Sequence, residues 1–71
     1  MSTTKLTKTQ RLLLYGLKTF NVEMEDAVGL VAFMTEDNQL LLIHYMKTHP
    51  EATAQEIMNV AGDIIRDLQK E

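Results

Sequence analysis

Two apolar runs limit what this chain can fold into. Residues 27–34 read Ala-Val-Gly-Leu-Val-Ala-Phe-Met, and residues 40–46 read Leu-Leu-Leu-Ile-His-Tyr-Met. Wound as helices, neither has a full polar face. A chain of 71 residues buries only about 60% of its unfolded surface, so it has little core in which to hide two such elements. Part of this surface is therefore expected to meet another chain, either a second copy or a larger partner.

The remaining organisation is punctuated by capping residues, because the chain holds only three glycines and one proline. Thr7 precedes a periodic apolar run and is followed three residues on by Gln10, the reciprocal pair of a capping box. A first helix is predicted over residues 8–20, with Leu6, Leu13, Leu17 and Phe20 on one side and Leu12 and Leu14 widening it. Asn21 is read as the cap of a second helix over 22–34, with Glu23, Glu25 and Asp26 at its positive dipole end. Thr35, followed by Glu36 and Asp37, caps a third helix over 36–48. His49-Pro50 ends it, since a residue before proline disfavours helical backbone. Thr53 and Glu56 form a second capping box. They open a helix over 54–69 whose Ile57, Val60, Ala61, Ile64 and Leu68 repeat at i, i+3, i+4, i+7 and i+11. The two central runs could also be buried strands; their Leu and Met content, acidic first turns and caps favour helix. The expected fold is all-α, one small compact bundle of four short helices spanning residues 1–71.

Composition excludes several classes. The chain has no cysteine, so no disulfide or thiolate metal site can staple it. The longest apolar stretch is eight residues, far below the ~20 needed to cross a bilayer. The N-terminus lacks a secretory core, and a cytoplasmic protein is expected. His44 and His49 are five apart, whereas two ligands on one helix face need three or four. The acids cluster at helix starts without the alternating ligands and turn glycine of a calcium loop. There is no phosphate loop, nucleophile elbow or HExxH. No catalytic residue, metal or cofactor is assigned, no small-molecule substrate is inferred, and the chain is expected not to be an enzyme.

Charge is segregated. The first twenty residues carry Lys5, Lys8, Arg11 and Lys18 and no acid; the next twenty carry Glu23, Glu25, Asp26, Glu36 and Asp37 and no base. Lys8, Arg11, Tyr15 and Lys18 share one face of the first helix. A phosphate-contacting stripe is one reading; a solvated face, or a face lying against the acidic start of a neighbouring helix, is the other. The net charge of −3 argues against nucleic acid as the main partner.

Residues 42–57 resemble the opening of winged-helix and helix-turn-helix domains. In those domains a helix ends at a proline-containing turn, here His49-Pro50, and the next opens as Thr53-Ala54-Gln55-Glu56-Ile57. The resemblance implies a DNA-reading helix after Gly62. The chain departs from the pattern there, with Asp63, Asp67 and Glu71 against Arg66 and Lys70 and no wing hairpin, so no DNA-contacting role is carried over.

These observations point to a helical protein-interaction module that self-associates, most simply as a homodimer, or docks on a larger protein. The expected contact residues are Leu12, Leu14, Leu42 and Met46, which fall off the centre of any single packing face, together with Leu30 and Phe33. The alternative is a small nucleic-acid-binding regulator using Lys8, Arg11 and Lys18.

Overall fold

The computed structural model describes residues 5–70, with side chains as far as residue 67. Among these residues there are four helices and no strand: α1 (Lys8–Thr19), α2 (Met24–Phe33), α3 (Glu36–Thr48) and α4 (Ala54–Lys70). The small all-α bundle read from the sequence is the fold, and Leu68 lies outside the described side chains.

Three helix starts are built as expected. Thr7 Oγ1 accepts from the Gln10 amide at 3.0 Å while Gln10 Oε1 accepts from the Thr7 amide at 2.9 Å. Thr53 and Glu56 repeat the arrangement at 3.1 and 2.9 Å. Thr35 Oγ1 accepts from the Asn38 amide at 3.3 Å. Each of these hydroxyls satisfies an amide that the helix leaves without an internal partner.

The connection between α1 and α2 differs from the sequence reading. Asn21 does not cap α2; it ends α1. Its φ of 69° is left-handed, a conformation that asparagine tolerates better than other residues bearing a Cβ. The Asn21 amide donates to the Lys18 carbonyl at 2.9 Å, and the Val22 amide donates to the Leu17 carbonyl at 3.0 Å. These are the two bonds of a Schellman motif, and buried Val22 and Leu17 supply its apolar contact. Helix α2 therefore starts two residues later than expected. Glu23 stands at its N-cap without a side-chain bond, and Glu25 and Asp26 fill its first turn.

Helices α1 and α3 run side by side in the same sense. Thr9 near the start of α1 donates to Glu36 Oε2 at the start of α3 at 3.1 Å, and Gly16 meets Met46 two to three turns further on. A Cβ on Gly16 would lie 2.7 Å from Met46 Cε, the flexible tip of a side chain that would have to shift to admit it. The two remaining helices run back: α2 packs on α1, and α4 packs on α3. Leu13 and Leu17 from α1, Ala27 and Val31 from α2, Leu42 and Met46 from α3, and Ile57 and Ala61 from α4 meet in one core. The molecule is 19 Å across its thin direction, about two helix diameters.

Two of the expected contact residues belong to this core. Leu42 is 0% exposed and Met46 5%. Helix α3 is covered from two sides, by α1 and α4, so its sheltered arc is wider than one stripe. Leu40 and Leu41 stand outside that arc and are exposed instead.

Candidate interaction surface

The remaining expected contact residues lie on two seams and one corner. Leu14 lines a groove of about 370 Å³ between α1 and α2, with Leu6, Gln10, Val28, Val31 and Ala32. Leu12 lines a smaller groove of about 250 Å³ between α1 and α3, with Tyr15, Gly16, Thr19, Phe20, Ile43, Met46 and Lys47. Leu30 is half-buried against the core. Phe33, the last residue of α2, projects from the corner between α2 and α3 and is 63% exposed. The structure thus separates Leu12, Leu14 and Phe33 rather than gathering them into one patch.

Among the described residues, α2 exposes more large apolar side chains than any other helix. Only Glu25 and Asp26 of its ten residues are charged. Ala27 and Val31 point into the core, while Met24, Val28 and Phe33 are each at least half exposed. A helix that is apolar all round belongs where it is covered all round, and α2 is covered on one side. Helix α3 adds Leu40 and Leu41, and α1 adds Leu12 and Tyr15.

Charges frame the apolar surface without cancelling. Lys8, Arg11 and Lys18 are exposed on the outer side of α1 around Tyr15, which is 74% exposed. Glu23, Glu25 and Asp26 are exposed at the start of α2. The one ion pair among the described residues, Arg66 to Asp63 at 3.7 Å, lies within α4. The basic stripe is exposed and makes no ion pair among the described residues, although the acidic start of α3 lies beside its beginning through the Thr9–Glu36 bond.

The α2–α3 corner contains two polar residues that sequence reasoning missed. Gln39 is buried, and its Nε2 donates to the carbonyls of Met34 at 2.9 Å and Val31 at 3.4 Å. A side chain of α3 thereby closes the end of α2. Asn38 is buried beside it, and Asn38 Oδ1 and Gln39 Oε1 have no hydrogen-bond partner. Two amides in the first turn of an acidic helix start carry no pattern that separates them from solvated residues.

The histidines do not converge. His44 is exposed on α3. His49 ends that helix: its Nδ1 lies 3.0 Å from the Tyr45 carbonyl, which accepts, and its ring stacks on Tyr45 at 4.0 Å. No group of three metal-ligating side chains occurs among the described residues, and no helix of the described residues is long and apolar enough to cross a membrane. No protein-family model, curated protein or solved structure matches the chain.

Proposed function

We propose that this chain is a helical interaction module that acts by self-association. The observation that carries the reading is the exposure of Met24 and Val28 on one side of α2 and of Phe33 on another, in a helix with only two charged residues. Burying such side chains contributes about 25 cal/mol per Å² of apolar surface removed from water. A second copy supplies both an apolar surface and opposite charge, since the acids of α2 and the bases of α1 lack ion-pair partners among the described residues. Charges placed this way set register and encounter rate more than affinity.

Sedimentation velocity from micromolar to millimolar concentration tests the proposal. A mass above the 8.1 kDa chain that rises with concentration is expected. Val28→Glu should lower that mass while leaving the circular dichroism unchanged. A single-chain species at a millimolar overturns the reading.

A second reading rests on one observation, the exposed Tyr15 ring set among Lys8, Arg11 and Lys18. Cations beside an aromatic face suit a single-stranded nucleic acid, whose bases stack while its phosphates are neutralised. Binding of a fluorescent oligonucleotide that weakens steeply with salt and is lost in Tyr15→Ala supports it; no binding at high micromolar concentration removes it.

A further inference from the structure

Phe33 and the α1–α3 groove are complementary in shape and charge, one convex and acidic, the other concave and basic. Resting on the self-association reading above, we infer that copies of this chain join head to tail, with Phe33 of one protomer entering the α1–α3 groove of the next.

The knob is a single projecting aromatic ring. Asp26 lies seven residues before Phe33 on the same face of α2, and Glu36 and Asp37 open α3 three and four residues after it. All three acids are exposed, and α2 carries no base. Glu36 already accepts from Thr9, which leaves Asp26, two turns before Phe33, and Asp37, four residues after it, as the acids of this corner without such a bond.

The groove has the opposite character. Its floor is Gly16 and Met46, its walls are Leu12, Tyr15 and Ile43, and the only ionised group lining it is Lys47. Lys8, Arg11 and Lys18 on α1 and His44 on α3 are exposed on the helices that form it, and the acids of α3, Glu36 and Asp37, lie at that helix's opposite end. At about 250 Å³ it is smaller than the roughly 300–1,000 Å³ of a small-molecule site and suits one side chain. Its floor adapts, because methionine reshapes around what it touches.

The two features occupy different parts of one chain. Phe33 stands at the corner where α3 begins, while Tyr15, Ile43 and Lys47 belong to the later halves of α1 and α3. A contact between unlike patches is heterologous, so it repeats until the rotation closes a ring or a filament forms. A self-matching patch on a two-fold axis would stop at two copies.

Sedimentation velocity on the full chain with two exposed-site variants decides the question. Phe33→Glu removes the knob and Tyr15→Glu spoils the groove; both positions are solvated, so circular dichroism should match the native protein. The native chain should form species larger than two copies as concentration rises. Each variant alone should associate at least about tenfold more weakly, as loss of a central anchor does. Mixed in equal amounts they should form a two-copy species and nothing larger, since one intact knob then faces one intact groove. Lys47→Glu and Asp37→Lys should each weaken association and regain it when mixed. A native protein that stops at two copies, variants that fail to complement, or charge variants that behave as native each overturn head-to-tail joining while leaving self-association standing. A single-chain species at a millimolar overturns both.

Discussion

Helices α2 and α4 hold equivalent positions, each running back along one member of the α1–α3 pair, yet they solve the problem of burial in opposite ways. Helix α4 turns Ile57 and Ala61 fully inward and leaves Gln55, Asn59, Asp63 and Arg66 in water. It opens with a complete capping box and carries its own ion pair. Helix α2 buries Ala27 and Val31 but leaves Met24, Val28 and Phe33 outside. Its N-cap makes no side-chain bond, and its last carbonyls are closed by a residue of the next helix. One helix is finished within the single chain. The other leaves apolar side chains that the single chain does not cover.

Three substitution pairs and one single substitution would break or sharpen this contrast. The largest effect is expected from Ile57→Ala, which empties a fully buried site and should cost about 3 kcal/mol in urea unfolding; Val28→Ala in α2 should stay within about 0.5 kcal/mol. Similar losses at both sites would mean that α2 is as buried as α4. Next, Gln39→Leu should cost about 1–3 kcal/mol by leaving the end of α2 without its donor, and hydrogen exchange should quicken in α2 before α4. Uniform quickening would show that the corner does not hold α2 in particular. Third, Thr53→Ala should cost about 1 kcal/mol by removing the α4 cap, whereas Glu23→Asp should add about 0.5 kcal/mol by giving α2 a side-chain acceptor it lacks. The smallest change is expected from Gly29→Ala and Gly62→Ala. A Cβ at either position meets nothing within 4 Å, so each should raise the melting temperature by an amount worth about 0.5–1 kcal/mol. A gain at Gly62 without one at Gly29 would reveal a neighbour over α2.

The sequence made the helices legible because their ends are local chemistry. Thr7 with Gln10, Thr53 with Glu56, Thr35, and His49 before Pro50 each act within a few residues, and each acts where the pattern places it. Asn21 was misread for a physical reason: asparagine serves equally as an N-cap acceptor and as the left-handed residue after a helix, and only the fold of the preceding turn decides. Leu42 and Met46 were misplaced because the buried arc of α3 depends on how many helices cover it, which no local pattern records. The surface was legible in part. Phe33 and Leu12 stand exposed, Leu12 as its position off the packing stripes suggested, but only tertiary packing shows that Leu12, Leu14 and Phe33 lie at three separate places. Gln39 and Asn38 were hidden because their burial comes from the corner that Met34 and Thr35 create.

The Gln39 bond also bears on the order in which the protein can take shape during synthesis. A helix of ten residues is marginal alone in water, and α2 begins without a side-chain cap. Its final carbonyls wait for an amide encoded five positions beyond Met34. A stretch ending at Phe33 therefore has a first helix with both ends closed and a second open at its end, and at 12 and 10 residues both are marginal alone in water. The second becomes durable only when α3 has emerged and folded back, so the first half of this protein matures together with its third helix and not before it.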